Sequence, residues 1–124
     1  SPKNINLVPV NACREVLTSI EKIERLFDRS EYQDIFRPYI QYYRDNSVFD
    51  GAVMYDALAA AVSVNSELVE FKKINAVVET RGKKTRGMLI PEKRPQKNIN
   101  GNLKYVSNVD KGVKAEIYSM IRTI

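Results

Sequence analysis

The chain has no histidine and one cysteine, Cys13, so any chemistry it performs must run on carboxylates, tyrosines, lysines or the main chain. The grouping with most chemical promise is Tyr55-Asp56 at the head of an alanine-rich stretch, with Tyr39 and Tyr43 a short way upstream. A carboxylate in the first turn of a helix is favoured by the unsatisfied N–H groups there. Taken alone, Asp56 is no more than that favourable first-turn acid. Tyr39 and Tyr43 are one helical turn apart and share a face. Phenols so placed can stack on a planar ring or hydrogen-bond to it, or can simply pack. Asp45, Asp50 and Asp56 follow no ligand spacing. Without histidine the commonest general base and zinc ligand are missing, and one cysteine closes no internal disulfide.

These residues need elements to hold them. Ile5 to Val10 reads as a short buried strand closed by Pro9 and Asn11. Thr18 and Glu21 have capping-box spacing and open a helix to about Asp28, with Ile20, Ile23 and Phe27 on one face. Ser30 and Gln33 repeat the signal before a second helix bearing Ile35, Phe36, Tyr39, Ile40 and Tyr43, which Pro38 is expected to kink. Asn46-Ser47 and Asp50-Gly51 mark a loop, and a third helix runs from about Val53 to Val64 with alanines suited to close packing. Phe71 to Thr80 and Thr85 to Ile90 form a hairpin around Arg81-Gly82-Lys83-Lys84. Pro91 to Gly101 is loop, Leu103 to Val106 a further strand, and Asp110 caps a last helix with Val113, Ile117, Met120 and Ile121 on one face.

Strands alternating with helices give an α/β class, and 124 residues without repeat or linker make a single segment, 1–124. The chain opens on a buried-looking strand with no helix before it to cover that strand, as a parallel sheet requires. It therefore reads as the end of a larger fold, with an exposed strand edge and an apolar face.

Met54-Tyr55-Asp56-Ala57-Leu58-Ala59-Ala60-Ala61, then Val78-Glu79-Thr80-Arg81-Gly82 and Thr85-Arg86-Gly87, resemble the end of the inosine–uridine nucleoside hydrolase family. Leu7-Val8-Pro9-Val10 and Leu17-Thr18 are similar to that family's strand and following helix. The resemblance implies the C-terminal portion of a nucleoside-hydrolase-like mixed-sheet fold, with strands, a β-hairpin and about four helices. It implies hydrolysis of the N-glycosidic bond of ribonucleosides, with a calcium ion binding the ribose hydroxyls and the attacking water. On that likeness Asp56 is a calcium ligand, and Tyr39, Tyr43 and Tyr55 are substrate-binding. Tyr55 also holds the catalytic position, where many members carry a His that assists departure of the base. A tyrosine, ordinarily titrating near about 10, is a poor substitute for a group that titrates near neutrality. Asn11 and Cys13 sit where members usually carry Asp and Thr.

The family's D-x-D-x-x-x-D-D loop, source of the water-activating base and most calcium ligands, has no counterpart here, and neither has the Asn- and Glu-containing segment that grips the ribose. One Asp cannot be calcium site and base at once. The expectation is thus part of an enzyme, inactive alone, whose partners are a ribonucleoside, the N-terminal part of the same enzyme or another chain, and copies of itself, since members are usually dimers or tetramers. The alternative is a catalytically dead or truncated member that binds through its basic region. Residues 72–97 hold nine basic residues against Glu79 and Glu92, +7 in a chain of net +5. Aromatics do not interleave with them, so a solvated hairpin is the simpler reading and nucleic acid is not the expected partner. No apolar run approaches the roughly 20 residues of a membrane span. With no targeting pattern in the segment, a cytoplasmic and a secreted location both stay open.

Overall fold

The computed structural model describes residues 5–94 and 101–123. Three strands make the main sheet: β1 (Asn6–Leu7), β7 (Leu103–Val109) and β4 (Val69–Ile74), in the order β1-β7-β4. β1 runs parallel to β7 and β4 antiparallel to it, so the sheet is mixed. At Glu70/Phe71 the register slips by one residue, and the Ser107 hydroxyl donates to the Glu70 carbonyl at 3.2 Å across the slip. Helices α1 (Val10–Cys13), α4 (Tyr55–Val64) and α5 (Val113–Arg122) pack here. With Val69, Val106 and Val109 they bury Cys13, Val16, Leu58, Ala61, Val62, Val113 and Ile117.

A satellite layer lies beside this core. Helices α2 (Ile20–Leu26) and α3 (Ser30–Asn46) and the pair β2 (Leu17–Thr18) with β3 (Ala52–Val53) enclose a second cluster. Ile20, Ile23 and Ala52 are buried in it, with Phe27, Ile40 and Tyr43 packed on them. Gly51 is obligatory at this junction, because a Cβ there would lie 2.4 Å from the Thr18 carbonyl oxygen. The third unit is a hairpin, β5 (Ala76–Val78) with β6 (Leu89–Pro91), whose Val77, Val78, Met88, Leu89 and Ile90 are exposed.

The α/β class, the hairpin and the mixed sheet match the reading of the sequence; several boundaries do not. The first strand is two residues, not six: Pro9 has no N–H to give a ladder, and its carbonyl accepts Ala12 N at 2.9 Å, turning the chain into α1. That one-turn helix is the fifth where about four were expected. Ser19, not Thr18, caps α2 by accepting from Lys22 N at 3.3 Å. Arg29 occupies the cap position of α3 and Gln33 reaches Asp28 instead, at 2.9 Å, while the Ser30 side chain lies outside the described residues. Pro38 stands inside α3 and does not end it. α4 begins at Tyr55 because Ala52 and Val53 are held by β2. Of its alanines Ala61 is buried and Ala59 and Ala60 face solvent.

The expected strand from Phe71 to Thr80 is two strands serving two sheets. Asn102 causes the break, its Oδ1 accepting Ala76 N at 2.9 Å and its Nδ2 donating to Ala76 O at 2.7 Å, a side chain in the place of a neighbouring strand. The connection between β5 and β6 is correspondingly wider than expected, residues 79–88. The last strand extends to Val109, and Gly112 takes the cap of α5 while Asp110 Oδ1 braces that turn by accepting Gly112 N at 2.7 Å. Of the loop expected from Pro91 to Gly101, residues 95–100 lie outside the described residues, as does Lys97. No helix among the described residues is long and apolar enough to cross a membrane. The exposed edge expected of the first strand is present, since β1 ends the sheet order.

Leu58 has no exposed surface and anchors the main cluster. Truncation to Ala leaves a cavity that neighbours on three helices and a sheet cannot all close. The Leu58→Ala variant should lose roughly 3 kcal/mol of unfolding free energy in urea titration. A loss below about 1 kcal/mol would mean that the α4 contact is not the core's anchor.

Candidate functional site

Between α3 and the start of α4 lies an open groove of about 510 Å³. Tyr39 and Tyr43 reach it from α3, and Tyr55 and Asp56 from the first turn of α4. All four candidates from the sequence therefore line one cavity. Its floor is apolar: Ile20, Ile23, Ala52 and Ile40 belong to the satellite core. Phe27 and Phe36 stack at 4.0 Å between centroids at one end of the groove, an aromatic pair that the sequence reading did not single out. Tyr39 is 63% exposed and Tyr55 44%, so both phenols are available to a ligand. Tyr43 is half-buried, with Tyr42 edge-on to it at 5.8 Å.

The head of α4 is held by its main chain. Met54 takes the cap position without a side-chain cap bond, its N–H donates to the Val16 carbonyl at 3.4 Å, and its carbonyl accepts Leu58 N at 3.1 Å. Asp56 follows in the first turn, exposed to solvent. Its charge is felt by Cys13, whose Sγ–H points to the Pro9 carbonyl at 3.5 Å. Burial pushes the Cys13 thiol above its ordinary value of 9.0, and the Asp56 carboxylate pushes it the same way. Cys13 is therefore a protonated core side chain at neutral pH and no nucleophile.

The fit to calcium can be tested on these residues. Among the described residues no three Asp, Glu, His or Cys side chains gather into a metal-holding group. Calcium takes about six to eight oxygens, and Asp56 brings one carboxylate. The described side chains of this chain do not by themselves make a calcium site.

A model of the inosine-uridine preferring nucleoside hydrolases matches residues 1–114. The chain belongs to that family. Solved nucleoside hydrolases share its fold. An inosine-guanosine nucleoside hydrolase superimposes with a TM-score of 0.76 at 17% identity, over 94% of this chain and 38% of its own. A plant nucleoside hydrolase gives 0.77 at 16%, over 98% and 42%. A purine-preferring ribonucleoside hydrolase from Gardnerella vaginalis gives 0.73 at 19%, over 98% and 42%. The chain thus spans about two-fifths of the length of these nucleoside hydrolases. No curated protein matches it in sequence.

Thr18, expected as a cap, is instead a buried residue whose hydroxyl touches Tyr118 and Met54, the latter a groove-lining residue. Its pattern resembled a capping box because Ser19, one residue on, is the true cap.

Two observables follow from Cys13. Its pKa is raised on folding, so the native state keeps the thiol proton longer. That contribution to stability is complete below pH 9.0 and is lost as pH climbs toward the folded value. Alkylation by iodoacetamide should be slow in the folded protein, with its pH midpoint above that of the urea-unfolded chain. Asp56→Asn should move the midpoint part of the way back down, and a midpoint unmoved by Asp56→Asn would show the carboxylate to be remote from the thiol.

Proposed function

We propose that this chain supplies the base-side wall and one metal ligand of the active site of a nucleoside N-ribohydrolase. The reading is carried by one observation: Tyr39, Tyr43, Tyr55 and Asp56, from two helices separated in sequence, line the same groove. The groove suits a nucleoside in its chemistry. Exposed phenols over an apolar floor offer stacking faces to a planar base. A carboxylate at one end is an acceptor for ribose hydroxyls, or one oxygen ligand for a calcium ion that also binds them. Tyr55, which lines the groove with an exposed side chain, is the residue read as hydrogen-bonding the departing base.

Water activation needs a base, and the remaining calcium ligands need carboxylates, that the groove's own residues do not provide. Hydrolysis is therefore assigned to this chain combined with the N-terminal part of such an enzyme, joined to it or as another chain, and assembly into a homo-oligomer belongs to the same proposal. The exposed edge of β1 and the apolar hairpin are surfaces suited to such contacts.

The direct test is a nucleoside hydrolysis assay with calcium on the chain alone and after mixing with an N-terminal complement from a nucleoside hydrolase. The expected result is no turnover alone and turnover on mixing. With the complement, Asp56→Ala should lower kcat/KM by at least about a hundredfold, as loss of a transition-state contact does, and Tyr39→Ala should mainly raise KM. Turnover by the chain alone, or none after mixing, would overturn the assignment.

A second reading rests on the hairpin connection. Glu79 is turned onto its own loop, accepting N–H of Arg81 at 2.6 Å and of Gly82 at 3.0 Å, which hold its carboxyl below the ordinary range. Glu92 is held at about 2 by its hydrogen bonds to Arg94. Lys83 and Lys84 make no ion pair among the described residues and are left to meet an anionic partner. If that surface is used, retention on heparin falls steeply with salt and is lost in Lys83→Glu/Lys84→Glu. Retention flat in salt would remove this reading.

A further inference from the structure

Thr18 is the one buried polar side chain among the described residues, 2% exposed. Its Oγ1 lies 3.2 Å from the Val16 carbonyl, 3.3 Å from Met54 Sδ and 3.0 Å from the Tyr118 hydroxyl. A threonine hydroxyl has one proton and two lone pairs. If that proton goes to the Val16 carbonyl or to the weaker Met54 sulfur acceptor, Tyr118 O–H donates into a lone pair of Thr18. Every polar atom of the cluster is then satisfied, and no buried side-chain N or O among the described residues lacks a partner.

Three chain segments meet at this point. Val16 and Thr18 flank Leu17, which pairs with Val53 in the short β2–β3 ladder. Met54 follows that ladder and starts α4, bound to Val16 through its N–H and to Thr18 through its sulfur. Tyr118 belongs to α5, and its ring is faced on the other side by Lys22 Nζ, 4.9 Å from the centroid. The C-terminal end of α5 is tied in turn by Arg29 Nη2, which donates to the Arg122 carbonyl at 3.0 Å. Tyr55 and Asp56 come directly after Met54.

We propose that Thr18 and Tyr118 are positioning residues that fix the head of α4, and with it the direction in which Tyr55 and Asp56 enter the groove. Their importance for catalysis rests on the reading of that groove as the nucleoside site. The mechanical claim is independent of that reading. Within this arrangement α5, which has only Ile121 in the groove, reaches the head of α4 through one hydroxyl–hydroxyl bond, beside the packing of Val113 and Ile117 in the main core.

The test reads the head of α4 against the rest of the core, by amide hydrogen exchange of the whole chain followed by NMR. Thr18→Val and Tyr118→Phe each remove one hydroxyl and keep the shape. Each should speed exchange of the Leu58 amide, which donates to Met54 O, by about five- to tenfold relative to Val106 in β7, the loss of one net hydrogen bond. Thr18→Ser, which retains the hydroxyl, should leave the ratio near that of the parent protein. Tyr118→Phe keeps the ring beneath Lys22 and carries the test if Thr18→Val does not fold. Acceleration shared equally by Leu58 and Val106, or an unchanged ratio in Tyr118→Phe, would overturn the proposal. Exchange is read without substrate, so a failed hydrolysis assay leaves this result standing, and the reverse also holds.

Discussion

Burial of a narrow stripe on α4 is the constraint on which the rest of the molecule depends. Leu58, Ala61 and Val62 point into the core, and Ala59, Ala60 and Ser63 face water. Each residue advances a helix by about 100°, so fixing that stripe fixes the rotation of every other side chain on α4. Tyr55 comes out at its flank and Asp56 on the far side, both at the end where the groove opens. Ala61 allows this by letting the helix lie close to its neighbours in the main core, which a larger side chain would hold away.

The opposite wall is built differently. Not one described side chain of α3 is fully buried, and its hold on the molecule is the satellite cluster through Ile40 and Tyr43. The Arg44–Glu24 ion pair at 2.7 Å adds little, since both partners are half in water. One wall thus belongs to the main core and the other to a minor one. In local stability the second is the easier to displace.

Tyr39, Tyr43, Tyr55 and Asp56 are legible as a group only through the resemblance to the nucleoside hydrolases; helical spacing and first-turn placement alone make them packing tyrosines and a favourable first-turn acid. The α/β class and the hairpin are legible through periodicity. Two of the misreadings share a cause: Thr18 and Asn102 each carry a local signal that a tertiary partner overrides. Thr18 has the spacing of a cap but finds Tyr118, exactly one hundred positions away in the chain, and Asn102 reads as loop yet serves as a strand partner for Ala76. A bond between residues so distant in sequence leaves no periodic trace. The groove floor was equally hidden, since Ile20, Ile40 and Ala52 come from three elements.

The parallel pairing of β1 with β7 joins Asn6 to Lys104, so these two strands meet only after the long stretch between them has been made. At ~5–20 residues per second, a ribosome takes several seconds to make the intervening stretch. During that interval the β4 edge has no partner either, because it too pairs with β7. Contacts this distant in sequence are the slow ones to form. Among these elements β7 thereby sets the order of assembly: the local helices and the β5–β6 hairpin can form as they emerge, while the β1-β7-β4 sheet closes only once β7 has been made.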